Sequence, residues 1–406
     1  MNPKKGFVDF SHSEQMIPQP EMLEIRKHKR QLTIGIPKEI AFQENRIGLV
    51  PEAVSLLVNN GHKVILESNA GKSAHFPDNE YIEAGANLVY SSTEIFQSDI
   101  VIKVAPPLPV EIEKFKPRIT MFSALNLPGQ NETYFKQLMA KKITAISYEH
   151  IKDKTCSFPV IRSMSEIVGN TSVFIAAEYL SSVEYGKGKS LGGFPGIAPA
   201  EVVIIGAGTV GEYAARAAIG MGAFVKVFDN SIYKLRSIQN KLGERLYTSV
   251  IQQKTLSNAL RSADVVIGAL NPVNGITPCV ITEDMVKEMQ YGAVIIDVSI
   301  DNGGCSETSH VTNHTQPVFK KFGITHFCIP NIPSKVPHTA SLALSNFFAP
   351  VILQIAKEGG VENFLRNEKG VRTGTYLFNG ILTSKYISDL FHIPFQEIDL
   401  LMFPLH

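Results

Sequence analysis

The stretch Val202-Val-Ile-Ile-Gly206-Ala-Gly208-Thr-Val-Gly211 constrains this chain more than any other. An apolar run ending in Gly-x-Gly-x-x-Gly predicts a buried strand, a tight turn and the start of a helix. Gly206 permits the turn, and Gly208 lets the backbone approach a pyrophosphate. Gly211 lets the helix pack closely on the strand, while the amides at the helix start, around Thr209 and Val210, face the phosphates. A second apolar run, Val225-Lys-Val-Phe-Asp229, ends in a carboxylate eighteen residues after Gly211. A carboxylate there accepts both ribose hydroxyls and repels a 2′-phosphate, which favours NAD over NADP as cofactor. The chemistry implied is hydride transfer.

Composition excludes several alternatives. With 39 basic and 38 acidic residues the net charge is +1, so there is no excess positive field to hold nucleic acid or an anionic membrane. The four cysteines, Cys156, Cys279, Cys305 and Cys328, lack paired metal-ligand spacing, so no metal site is expected and a reducing cytoplasm suits the chain. Residues 1–30 are interrupted by Asp, Glu, His, Lys and Pro, unlike a signal peptide. No run of eighteen uninterrupted apolar residues occurs. The expectation is a cytoplasmic protein.

Length and pattern predict two α/β domains, each a doubly wound parallel sheet, one of them a Rossmann dinucleotide-binding domain, with a cleft between them. Residues 1–31 read as a polar extension, with one helix near Glu21 to His28. Residues 32–160 read as a substrate domain in which short strands (Leu32–Ile36, Lys63–Leu66, Asp99–Ile102, Ile143–Ile146) alternate with helices such as Pro51–Asn60. Residues 161–338 form the nucleotide domain, entered by a helix near Ser163–Val183 and continued by strands at Val265–Ile267, Val294–Asp297 and His326–Ile329. Residues 339–406 read as helices returning to the first domain.

Gly35-Ile-Pro-Lys-Glu39, Glu44-Asn-Arg46-Ile-Gly-Leu-Val-Pro51, Ile102-Lys103-Val104, Met164-Ser165-Glu166, the Gly206 fingerprint and Asp297-Val-Ser-Ile-Asp301-Asn-Gly-Gly304 together resemble alanine dehydrogenases. The N-terminal half also resembles the NAD-binding subunit of the proton-translocating transhydrogenase. The resemblance implies oxidative deamination of a small L-amino acid to a 2-oxo acid and ammonia, running both ways, in a homo-oligomer, commonly a hexamer. It also implies that Ser165 and Asp301 stand by the cofactor.

The reaction requires a clamp for the substrate carboxylate, and a guanidinium fixes its orientation better than an ammonium does. Arg46, on the loop after the first strand, fits that role and matches the family's substrate arginine. Asp301, just past the carboxyl end of a cofactor-domain strand, lies where ligands bind in open α/β sheets and matches the family's catalytic aspartate.

Two positions depart from the family. Ala105 stands where alanine dehydrogenases carry a second, substrate-contacting lysine, and Asn126 stands where they carry the proton-exchanging histidine. An amide exchanges no proton near neutral pH, although Asn126 can donate a hydrogen bond to a carbonyl or imine. Lys103, two residues before Ala105 on a strand, points to the same face, and a dry cleft lowers a lysine's pKa. It is therefore the candidate substrate contact and proton carrier, with His338 and His150 as weaker alternatives. Three readings remain open: an alanine dehydrogenase; a dehydrogenase of saccharopine or lysine type whose altered positions admit a larger substrate; and a nucleotide-binding module without amino-acid chemistry.

Overall fold

Runs of Val and Ile with no alternation of polar residues build strands that are covered on both faces, which is the signature of a parallel sheet flanked by helices. The computed structural model describes residues 30–271 and 275–403; the helix expected near Glu21 to His28 lies outside them. Two sheets form. The first comprises β1 (Thr33–Ile36), β2 (Lys63–Glu67), β3 (Asn87–Val89), β4 (Ile100–Ile102), β5 (Thr120–Ser123) and β6 (Thr144–Ser147). The second comprises β7 (Glu201–Ile205), β8 (Phe224–Phe228), β9 (Tyr247–Ser249), β10 (Val265–Gly268), β11 (Val294–Asp297), β12 (Val318–Lys321) and β13 (Ile324–Phe327). Two further strands, β14 (Thr375–Phe378) and β15 (Ile381–Leu382), rejoin the first sheet.

The strand orders are β15-β14-β6-β5-β4-β1-β2-β3 and β12-β13-β11-β10-β7-β8-β9. In each, the central pairs are parallel, and the order reverses beside the first strand, β1 or β7. Crevices for ligands open at such reversals, at the carboxyl ends of the strands. Among the described residues the antiparallel ladders lie at one edge of each sheet, β12 on β13 and β14 on β6 and β15. The expectation of helices alone after residue 339 is corrected here. Thr375-Tyr-Leu-Phe378 is a β-favouring run that pairs with the edge of β6 and with β15, so the chain's end widens the first sheet as well as bracing it.

Two long helices tie the sheets together. Pro159–Ser181 starts on a proline, whose missing N–H costs nothing at a helix N-terminus. Gly169 allows this helix to lie against Thr209–Gly220: a Cβ at position 169 would stand 2.4 Å from the Val210 carbonyl oxygen. Pro337–Lys357 is long and apolar enough to cross a membrane, but Leu344, Phe348, Ile352 and Ile355 fill the core beneath the first sheet. Its Ser341 and Ser345 also face inward. Their hydroxyls accept the backbone N–H groups of Ile47 (2.9 Å) and Val50 (3.1 Å), fixing the loop after β1.

Candidate active site

In the Gly206 turn, Gly206 and Gly211 each meet a distinct steric need. Gly206 has φ +115°, and a Cβ there would lie 2.2 Å from the Ala269 carbonyl oxygen. At Gly211 a Cβ would sit 1.8 Å from the Gly206 carbonyl oxygen, so the helix can approach the turn only without a side chain. Beside Gly208 the space is open, the nearest atoms being the Asn271 amide at 3.9 Å, which leaves room for a ligand at the helix start. No side chain caps that helix, so the amides near Thr209 and Val210 remain for an anion. Asp229, directly after β8, accepts the Ala207 N–H at 2.8 Å and the Ser231 N–H at 2.7 Å. It shapes the turn, and each oxygen keeps a second lone pair for a ribose hydroxyl. Ser165 lies half-buried on Pro159–Ser181, one residue beyond Met164, whose sulfur touches Arg46.

Arg46 is buried on the loop after β1. Its Nε donates to Glu44 Oε1 at 2.8 Å and one terminal nitrogen donates to Glu44 Oε2 at 2.6 Å, while the other terminal nitrogen lies 3.6 Å from the Met164 sulfur. Burial would raise the Glu44 pKa, but the Arg46 charge and hydrogen bonds outweigh it and lower the value. The guanidinium is thus held by Glu44 along one edge, while its other terminal nitrogen faces the Met164 sulfur.

From Glu44 the chain of contacts crosses to the second sheet. Glu44 Oε2 accepts the Asn331 side-chain amide at 3.0 Å, and the Asn331 backbone N–H donates to Asp301 Oδ1 at 3.1 Å. Asn331 has φ +57°, a left-handed conformation that asparagine tolerates better than most residues and that lets its backbone and side chain face opposite partners. Asp301 sits in the turn Val298–Asn302 after β11. That turn is pinned by buried Asp297, which accepts the Ser299 and Cys305 N–H groups and the Ser309 hydroxyl. Asp301 is exposed as a residue, while its carboxyl is partly desolvated by the surrounding protein. This enclosure raises the carboxyl pKa to about 6, against the Asn331 N–H and the Arg46 charge, which lower it.

The role expected of Lys103 as an accessible base is corrected. Its side chain is fully buried, with Nζ 2.8 Å from Glu39 and 2.9 Å from Glu111. Burial alone would lower the ammonium's pKa, but the two carboxylates outweigh it and raise the value. Glu39 and Glu111 also accept the backbone N–H groups of Val104 and Leu108, so this cluster fixes the segment that carries Ala105. A lysine held by two carboxylates neither gives up its proton readily nor reaches a substrate.

Asn126 is exposed at the carboxyl end of β5 with φ +43°. The preceding Leu125 N–H donates to Glu149 Oε2 at 3.1 Å, and the Glu149 charge acts on both Arg46 and Asp301. His150 is exposed and bonds Ser147 through Nδ1 at 2.9 Å. His338 stacks on Phe76 with ring centroids 4.5 Å apart, a packing contact. Sequence reasoning missed Glu44, Glu149 and Asn331. Glu44 stood two residues from Arg46 and was legible as its partner, whereas Asn331 and Glu149 are distant in sequence and join the site only through the fold.

The class defined by this arrangement is a two-sheet α/β protein with a Rossmann-like second sheet, in which a buried arginine is linked through Glu44 and Asn331 to Asp301. Family models described as the alanine dehydrogenase/PNT N-terminal and C-terminal domains match residues 35–168 and 172–385. The alanine dehydrogenase of Staphylococcus saprophyticus is 36% identical over 369 residues, covering 91% of this chain and 99% of its own. That of Methanococcus maripaludis is 38% identical over 373 residues, with the same coverage. A solved L-alanine dehydrogenase superposes with a TM-score of 0.83 at 36% identity, spanning 88% of this chain and 98% of its own. A transhydrogenase from Sinorhizobium meliloti shares the fold at 20% identity and a TM-score of 0.75, over 87% and 99% of the two chains. The chain belongs to the alanine dehydrogenase/PNT family.

Proposed function

We propose that this protein is an NAD-dependent amino-acid dehydrogenase that converts L-alanine reversibly to pyruvate and ammonia. The observation that supports the reading is the continuous path Arg46–Glu44–Asn331–Asp301, which links a guanidinium after the first strand of one sheet to a titratable carboxyl on the turn after β11 of the other. NAD, when bound, supplies the hydride acceptor. The residues that fit it are Gly206, Gly208, Thr209, Val210 and Gly211 for the pyrophosphate, Asp229 for the ribose, and Ser165 and Asp301 nearer the reacting end.

In this reading Arg46 binds the substrate carboxylate through the N–H groups that Glu44 leaves unused, fixing the rotation of Cα. Asp301, with a pKa near 6, changes charge close to neutrality and is the group best suited to hold or pass a proton at the amino nitrogen. Asn126 donates to the oxygen or nitrogen that leaves or enters at Cα. Lys103 acts through Glu39 and Glu111 as a positioning residue.

Ala105 in place of the family's second lysine favours a second reading, a larger amino-acid substrate, since a methyl group takes up less room than a lysine side chain. A screen of purified protein for NADH formation from each common L-amino acid, with pyruvate plus ammonia in reverse, separates the two. A protein silent throughout that still binds NADH is a nucleotide module. The family's habit also supports a cytoplasmic homo-oligomer, with a hexamer favoured. Light scattering returning the 44.6 kDa of one chain contradicts that.

A further inference from the structure

Three of the acidic side chains beside Arg46 and Lys103 are committed to those cations. Glu44 holds Arg46, and Glu39 and Glu111 hold Lys103. Glu149 is placed differently. It stands in the turn Tyr148–His150 directly after β6, half-buried, and makes no ion pair among the described residues. Its Oε2 accepts the Leu125 N–H at 3.1 Å, and its Oε1 has no hydrogen-bond partner among those residues.

The first sheet explains the position. Parallel pairing sets Ser123 of β5 opposite Ser147 of β6, so the segments carrying Asn126 and Glu149 leave the sheet side by side. The Leu125 hydrogen bond fixes that neighbourhood. Tyr148 is buried, and its hydroxyl donates to the Val104 carbonyl at 2.8 Å, which braces the turn against the segment that carries Ala105. His150, the other titratable side chain here, is exposed and turned to Ser147. The Glu149 charge acts on Arg46 from the same sheet and on Asp301 from the other. Interactions between accessible charges fade beyond about 10 Å, so the three groups border the same part of the crevice.

Oxidative deamination needs a proton carrier at oxygen as well as at nitrogen, and the amide of Asn126 cannot be one. We propose that Glu149 carries the water proton in this site, an inference that rests on the dehydrogenase reading above. Once hydride has left Cα, a water oxygen bonds to the iminium carbon and its proton passes to the Glu149 carboxylate. Glu149 releases that proton to solvent, which its half-exposed position permits. The nitrogen regains a proton from Asp301 and leaves as ammonia with the carbon–nitrogen electron pair. The carbonyl forms as the hydroxyl proton follows the same route through Glu149.

Glu149→Gln tests this, because the amide oxygen still accepts the Leu125 N–H while the proton function is gone. On the amino acid that the wild type turns over, kcat should fall at least about 10²-fold, with the NADH Kd within about twofold and the Tm unchanged. Rapid mixing should show a burst of about one NADH per site ahead of that slow turnover, since hydride leaves before water adds. A brace for Asn126 alone would give no such burst. Undiminished turnover in Glu149→Gln overturns the inference and leaves the dehydrogenase reading standing, and so does a slow variant without the burst. A wild type silent on every L-amino acid overturns the dehydrogenase reading, and this inference with it.

Discussion

Glu44 grips the Arg46 guanidinium along one edge, with contacts of 2.8 Å and 2.6 Å, and passes the same carboxylate on to Asn331 at 3.0 Å. A lysine cannot reproduce that fork. Arg46→Lys should therefore lower kcat/KM for the amino-acid substrate by on the order of 10²-fold while leaving the NADH Kd within about twofold. Steady-state kinetics beside fluorescence titration of NADH checks both halves, and retained kcat/KM assigns the carboxylate to another cation.

Asp301 should impose a limb on the pH profile. Its carboxyl is raised to about 6, so it is protonated below that value and charged above it. A limb near pH 6 in kcat/KM is expected for the wild type, and Asp301→Asn should abolish it together with most of the activity. An unchanged limb in the variant would assign the titration elsewhere.

Lys103→Met should act on stability first. Removing the ammonium leaves Glu39 and Glu111 facing each other without their counter-charge, a loss of about 3–5 kcal/mol for a broken buried pair. Denaturant unfolding should show this loss. A variant with full stability and abolished turnover would restore Lys103 as a proton carrier. The triple variant Lys103→Met, Glu39→Gln, Glu111→Gln should recover part of the stability, since it leaves no buried charge.

The second sheet carries its own pH dependence. His326 is fully buried, bonded to Thr308 at 2.7 Å and stacked on Phe319, and burial lowers its pKa to about 4. The unfolded chain takes up a proton near 6.5 that the folded chain refuses, so stability is present above 6.5 and is lost as pH falls toward 4. Between pH 7 and pH 5 the loss attributable to this residue is about 2 kcal/mol, and His326→Gln should remove that part of the slope. Identical slopes in the two proteins would contradict it.

Much of this was legible in the chain because the signals are local. The run Val202 to Gly211 and the terminal Asp229 define strand, turn, helix and second strand within one unit, and Gly206 and Gly211 stand where a Cβ would collide with backbone. Arg46 and Asp301 were legible as loop residues at strand ends. The partners that hold them were not, because Ser341, Asn331 and Glu149 reach those loops only after the long helix Pro337–Lys357 and the second sheet are in place. Lys103 misled for the same reason. Strand periodicity gives the face on which a side chain lies, whereas its charge state depends on Glu39 and Glu111, 64 and 8 residues away in sequence. The edge strands β14 and β15 were hidden because a short β-favouring run is ambiguous until a free sheet edge is available to it.

Cofactor choice rests on Asp229, which is buried and held at the end of β8 by two backbone N–H groups. NAD(H) should bind at least tenfold more tightly than NADP(H), because a 2′-phosphate would meet that carboxylate. Equal calorimetric affinities would remove the assignment.

The central claim is that a chain with Asn126 and Ala105 still oxidises an amino acid through the Arg46 and Asp301 pair. The most direct measurement is the initial rate of NADH formation by the purified protein on L-alanine, with pyruvate plus ammonia in reverse. Turnover in both directions that falls at least about 10²-fold in Arg46→Lys with NADH affinity intact is the predicted result. No NADH from alanine or any other L-amino acid, by a protein that binds NADH normally, would contradict it.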